Sequence, residues 1–534
     1  MKPILSLRDN FFISLFVSTL SVGIALMYYL MTFRLNQPMT PIVLVMALSL
    51  LTIFLPSALV DLSHKKPILR PLLSNRNINL LIVTLLLSLI GLTGFSFNHV
   101  WSGLLLIIGV IFLFYQQIYC SIRIFKKNDI LFLLIIGFIF SLFLSGSIWG
   151  HEFLSPPSPY YSQPDYEAFF HAAISSMMRT HGFSSTGLDG IPYVPYHYGS
   201  HWFIAQFANL VNTDSYTAYK IIFPVIFIPM LFHAFLHLLF EIRLIFRDRE
   251  KKQQTFWKTW EFWLCFSLLM FGFFPTRLTG IWLAITFPPS LTFSILFLFI
   301  TFSVFTQTKI FNRVTKSLIK KDLGSDDSIS HDVPSELGFY SDYYFYLLPL
   351  LIFLCTLSKI STGALFFAVI VLMAYRLKTY ISPSLIASLV ISAIAFSISF
   401  KMAYASAAVG EYTTQFHFFG YLRVANHSLL HLWWFYLLFF WAFVYAFLRF
   451  RFAGVHHIKN VRAKFQSNQF LDLEILFLFC LLGVIPSIVF GFYDSYNFFD
   501  VQIWVSRVLL LSIIPETLYR SSALKNSPDL KSRK

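Results

Sequence analysis

Apolar runs of about 18 residues or more, broken by short polar segments, recur along the whole chain. That is the length a helix needs to cross a hydrocarbon core of ~30 Å. The pattern predicts fourteen membrane-crossing helices, beginning near Phe11, Pro41, Ile78, Trp101, Ile130, Ala218, Phe262, Pro288, Phe345, Thr362, Ser384, Leu429, Asp472 and Val501. The seventh, ninth, tenth and last are short or interrupted. The short alternating segments of an outer-membrane barrel are absent. The expected fold class is therefore all-α, a polytopic integral membrane protein. The first run, Phe11 to Phe33, is too long for a signal-peptide core and lacks a small-residue cleavage site, so it is read as a retained helix.

The same pattern divides the chain into a five-helix segment (1–149), a polar loop (150–217) and a membrane segment (218–306). A polar connector (307–342) with the run GSDDSISHD follows, then a second membrane segment (343–517) and a basic tail (518–534). Composition agrees: 57% of residues are hydrophobic and 12% charged, with a mean hydropathy of +0.69. Large soluble catalytic domains are excluded, so any chemistry uses loops and helix ends.

A net charge of +15 invites a nucleic-acid reading, but its distribution speaks against one. Of the 40 Lys and Arg, only Arg34, Arg179, Lys220, Arg277, Lys359, Lys401, Arg423 and Arg507 fall outside alternate loops and the termini; the other 32 group on one side of the expected spans. By the positive-inside rule both termini lie inside and the loop 150–217 lies outside. The expected location is the bacterial inner (plasma) membrane, with the active face extracytoplasmic. Cys120, Cys265, Cys355 and Cys480 lie in or beside apolar spans, far apart, and read as small buried hydrophobes rather than disulfides.

The outer stretch from His151 to Thr217 gathers five of the fifteen histidines (His151, His171, His181, His197, His201) and the carboxylates Glu152, Asp165, Glu167, Asp189 and Asp214. Membrane proteins seldom concentrate such groups without a binding or chemical role. Pro164 and Asp165 suit a helix start and Gly182 a helix end, predicting an amphipathic helix from Asp165 to Thr180. Asp165 and Glu167 either favour the positive end of its dipole or include a general base; His171 lies one turn from Glu167. His197 and His201, also one turn apart, have the spacing of paired zinc ligands. Tyr198 stands where a metalloprotease needs Glu, so a divalent cation is an alternative to hydrogen bonding with substrate. No cofactor is assigned. Tyr196 and its aromatic neighbours form either an interfacial belt or a stacking surface for sugar rings.

Lone cations on a cation-poor face suit a phosphate at the membrane surface; Lys359, Arg277 and Arg423 are the candidates, against snorkelling or pairing with carboxylates. Arg507, within a span, must face protein or a wet cavity. His233, His237 and Glu241 recur every four residues at the inner end of the sixth span. They either form a metal or proton site or, as expected beside a basic loop, snorkel to the inner surface.

An Asp opening a surface helix in a large outer loop, a histidine on that helix, then G…P…YHYGSH leading into the next span resembles the GT-C superfamily, polytopic glycosyltransferases that use lipid-phosphate-linked sugars. The resemblance covers Asp165 to Leu210, about a tenth of the chain. Four further spans precede the loop, whereas the family places it after the first, which implies either an N-terminal extension or a different family. The resemblance implies Asp165 as catalytic carboxylate. It also implies a polyprenyl-phosphate sugar donor and an extracytoplasmic glycan, lipid or protein acceptor, in cell-envelope polysaccharide biosynthesis. Catalytic candidates are thus Asp165, Glu167 and His171; substrate-binding candidates are His197, His201, Tyr196, Lys359, Arg277 and Arg423. Membrane lipid is the surrounding partner, and nucleic acid is not one. Two other readings stand beside it: a polysaccharide polymerase or ligase using outer arginines and a histidine, and a fourteen-helix transporter or flippase. Against the transporter, the prolines do not fall in matched halves and charges within spans are scarce apart from Arg507.

Overall fold

A computed structural model describes residues 7–32, 39–65, 73–122, 127–149, 166–187, 198–246, 260–271, 289–306, 344–376, 383–404, 430–452, 470–489 and 501–513. Among these residues the regular elements are all helical, and there is no strand. In chain order they are α1 (Leu7–Thr32), α2 (Met39–Lys65), α3 (Arg76–Leu92), α4 (Val100–Ile122), α5 (Lys127–Trp149), α6 (Tyr166–His181), α7 (Gly199–Val211) and α8 (Ser215–Ile222). A π-helical turn, Phe223–Phe227, joins α8 to α9 (Ile228–Phe246). Then come α10 (Trp260–Phe271), α11 (Pro289–Thr306), α12 (Leu348–Ser358), α13 (Ile360–Arg376), α14 (Pro383–Tyr404), α15 (Leu430–Phe452) and α16 (Leu471–Val489). The last described helix is α17 (Val501–Ile513).

Six of these stretches are long and apolar enough to cross a membrane: Asn10–Thr32, Met39–Ser63, Val100–Gln117, Lys127–Ser145, Ser215–Ile242 and Pro383–Met402. Shorter apolar helices include α3, α12 and α17. The chain is a helical, membrane-embedded protein. Leu105 (70% exposed), Phe143 (61%) and Val390 (55%) point outward from α4, α5 and α14. Such faces would be a liability in water and suit acyl chains.

The continuous helix through α8, the π-turn and α9 is the buried axis of the bundle, packed against α1, α2, α3 and α11. Pro224, which has no N–H to donate, lies in the π-turn. The Val225 carbonyl there accepts the hydroxyls of Ser21 (3.1 Å) and Ser49 (2.7 Å), which tie α1 and α2 to the axis. Without those donors a carbonyl buried in an apolar bundle would be costly.

Two close approaches position the functional end. Gly91 of α3 abuts α7, where a Cβ would stand 2.8 Å from the Gln206 carbonyl carbon. Phe97 N donates to Leu210 O (2.7 Å), and Asn209 Nδ2 donates to Gly91 O (3.1 Å), so α7 is clamped to the end of α3. At the second approach α12 and α13 meet at Lys359. In one straight helix residues 356 and 363 would be about 10 Å apart. Here a Cβ on Gly363 would lie 2.9 Å from the Thr356 Cα. The chain therefore bends sharply there, with Lys359, extended at φ −160° and ψ 118°, at the bend.

The basic sorting needs one correction. Arg76, grouped above with the loop cations, is 1% exposed. Its guanidinium donates to Asn10 O (2.7 Å) and Ser14 Oγ (2.8 Å), and also to Ser57 Oγ. The first turn of α3 is tucked beneath α1 and α2 instead of reaching the surface.

Candidate functional site

The helix expected from Asp165 to Thr180 runs from Tyr166 to His181, and Gly182 leaves it at φ +75°, a conformation glycine adopts without steric cost. Its inner face buries His171, Ile174, Ser175 and Met178; Ile174 and Met178 pack with Ala205 in a small cluster of their own, flanked by Phe170, Tyr198 and Trp202. Arg179 fixes the far end, donating from Nε to Asn209 Oδ1 (2.5 Å) and from Nη1 to Thr213 O (2.5 Å). This cation, isolated in the sequence, is a cross-tie between helices.

The start of α7 rests on the bend between α12 and α13. A Cβ at Gly199 would meet the Leu357 carbonyl carbon and Ser358 Oγ at 3.1 Å. That contact brings His201, two residues on, to the level of Lys359. His171 Nδ1 and His201 Nε2 are 3.3 Å apart, and His201 Nδ1 and Ser175 Oγ are 3.5 Å apart. The His171 ring lies between that of His201 (centroids 4.9 Å, 20° between planes) and that of Tyr219 (5.6 Å, 13°). His171, His201, Ser175 and Lys359 are all buried. Burial, with the Lys359 ammonium adding to it, pushes the His171 imidazole from its ordinary 6.5 to about 4. At neutral pH His171 is uncharged and offers one donor and one acceptor nitrogen beside a buried cation.

Of the nine expected groups, His171 and His201 are in direct contact, and Lys359 is close enough to act on His171. Sequence reasoning missed Ser175 and Tyr219. Ser175 lies one turn beyond His171 on the same helical face, a usable signal, whereas Tyr219 comes from a helix whose approach no local pattern announces. Lys220 is buried with its ammonium 4.5 Å over the Tyr216 ring, which stacks on Phe169 (4.6 Å). Asp165, Tyr196, His197, Arg277 and Arg423 lie outside the described residues, as does the side chain of Glu167, whose backbone is in the first turn of α6.

Asp214 caps α8, accepting the Thr217 N–H at 2.8 Å. It also lines a cavity of about 260 Å³ bounded by Tyr28, Pro41, Ile42, Thr213, Thr217 and Ile221. Among the described residues no group of three or more His, Cys, Asp or Glu is arranged to hold a metal ion. Cys265, Cys355 and Cys480 are free thiols.

His233, His237 and Glu241 do not snorkel. They are 0%, 5% and 4% exposed, covered by the first turn of α3 and by α11 through Asn75 and Ser303.

Fold and site together define a membrane-embedded helical protein with a buried histidine pair close to a buried lysine. No protein-family model matches the sequence, and no characterised protein is significantly similar to it.

Proposed function

We propose that the chain is a membrane glycosyltransferase that moves a sugar from a polyprenyl-phosphate donor to an extracytoplasmic glycan, lipid or protein acceptor. The observation that carries the reading is Lys359, buried at the bend between α12 and α13 and close enough to His171 to act on it. An ammonium makes strong charge-assisted hydrogen bonds to an anionic ligand, and a lipid-linked phosphate delivers its anion next to apolar helices. In this reading Lys359 holds the donor phosphate, while His171 and His201 hydrogen-bond the phosphate or the sugar. Asp165 takes the proton of the acceptor hydroxyl. The acceptor oxygen bonds to the anomeric carbon, the bond from that carbon to the phosphate oxygen breaks, and the polyprenyl phosphate leaves with the electron pair.

The test is transfer from a radiolabelled polyprenyl-phosphate sugar by the full chain in lipid nanodiscs. Asp165→Asn is expected to abolish transfer with retained donor binding, and Lys359→Ala to weaken donor binding. Undiminished transfer by Asp165→Asn removes it from the mechanism, and unchanged binding by Lys359→Ala removes the phosphate site.

A further inference from the structure

On α9, His233, His237 and Glu241 follow one another at every fourth residue and share one helical face, about 12 Å from first to last. Each is at least nine-tenths buried. Among the described residues, both ring nitrogens of His233 and Nδ1 of His237 lack a hydrogen-bond partner, as does Nε of the buried Arg76. A buried polar atom left unsatisfied costs about 1–3 kcal/mol, and ionisable groups inside membrane bundles mark ion or proton pathways. Glu241 is held in place: Oε2 accepts Ser303 Oγ–H at 2.6 Å, and Oε1 lies 3.5 Å from Asn75 Nδ2 and 3.6 Å from His237 Nδ1.

The surroundings decide what the ladder takes. The fixed Arg76 charge acts on both imidazoles, which opposes a metal cation. The Glu241 carboxylate at the N-terminal end of α3 opposes an anion. From the other helices packed on α9, α2 supplies Asp61, which acts on Arg76, α11 supplies uncharged Ser303, and α1 supplies the uncharged Asn10 and Ser14. Farther along, Trp504 of α17 packs on Phe235 and carries Arg507 over its ring. What suits imidazoles that both donate and accept is water, and the proton that moves across it.

We propose that His233, His237 and Glu241 form a proton-binding relay in the bundle core, bridged by water, with Glu241 as the terminal acceptor. A proton reaching one nitrogen of His233 releases another from the opposite nitrogen, which crosses water to His237 and passes on in the same way. It ends on Glu241 Oε1, converting carboxylate to carboxylic acid. Each imidazole exchanges one tautomer for the other and is left neutral, so Arg76 faces no lasting second cation.

The test is infrared difference spectroscopy of the full chain in lipid nanodiscs, between about pH 8 and about pH 5, the range over which such groups exchange protons. A carboxyl C=O band is expected on acidification, lost in Glu241→Gln and shifted in Ser303→Ala, which removes the hydroxyl bonded to Oε2. After a rapid pH jump, His233→Phe is expected to slow its appearance severalfold. Identical carboxyl bands in wild type and Glu241→Gln overturn the proposal. Should Glu241→Gln fail to fold, an unshifted band in Ser303→Ala overturns it equally.

Discussion

His171 Nδ1 stands 3.3 Å from His201 Nε2, so one of these two nitrogens carries a proton and the other a lone pair. That pairing joins the tautomers of two rings on different helices. Whichever way the proton lies, the outward nitrogen of His171 takes the opposite character to its Nδ1, and Ser175 at His201 Nδ1 completes the chain. His171 is a hydrogen-bonding group rather than a charged one, because burial keeps it neutral. Charge at this site comes from Lys359.

Acid should therefore loosen the protein through His171. Its folded value of about 4 lies below the ordinary 6.5, so between these values the unfolded chain binds more protons and stability rises with pH. The contribution is fully present above about pH 6.5 and is lost as pH falls through about 4. It amounts to on the order of 3 kcal/mol at 1.36 kcal/mol per unit. Denaturation midpoints in detergent between these limits should fall for the wild type and fall much less for His171→Phe. Equal slopes would detach His171 from the effect.

Removing the Lys359 ammonium should have two consequences. Loss of a charge-assisted hydrogen bond, about 1.5–3 kcal/mol, predicts roughly 10- to 100-fold weaker binding of polyprenyl phosphate in Lys359→Ala. The same variant removes the charge that helps to depress His171, so its ring nitrogens, followed by NMR in ¹⁵N-histidine-labelled protein, should titrate at a higher pH. Weaker binding with an unmoved His171 titration would place Lys359 away from that ring in solution.

Much of this was legible in the sequence, for reasons that can be named. Pro164 and Gly182 bracket α6 through backbone rules, and Lys359 stood out as a cation without a topological task. Ser175 and Tyr219 were not legible as partners, since their meeting with the histidines depends on how α6, α7 and α8 cross. The snorkelling expected of His233, His237 and Glu241 failed because a hydropathy pattern marks where a span ends but not what covers that end. Here Asn75 and Arg76 fold beneath it.

Gly363 should tolerate no side chain. A Cβ there would come within 2.9 Å of the Thr356 Cα, a backbone atom that cannot swing away, so α12 and α13 would have to part. Overpacking of this kind costs about 1–3 kcal/mol. Gly363→Ala should lower the thermal midpoint and weaken phosphate binding together, because Lys359 sits at the bend between the two helices. Trimming the opposing side chain with Thr356→Ala should leave most of the defect in the double variant, as the backbone contact persists; full rescue would show that the side chain alone sets the spacing.

Arg179 offers a test of how α6 is held. Its fork spans Asn209 Oδ1 and Thr213 O, both at 2.5 Å, and Asn209 passes the connection to Gly91 of α3 at 3.1 Å. A lysine has a single ammonium and cannot reproduce two divergent N–H directions from one planar group. Arg179→Lys should therefore behave like Arg179→Ala: α6 opens more readily, and its amides exchange about tenfold faster for each 1.4 kcal/mol of local stability lost. Amides in the buried window of α9 should keep their wild-type rates, since that helix is held by α1, α2, α3 and α11. Faster exchange across α9 as well would mean that the α6 cross-tie supports the bundle as a whole, and α6 would then not be a separately held wall of the site.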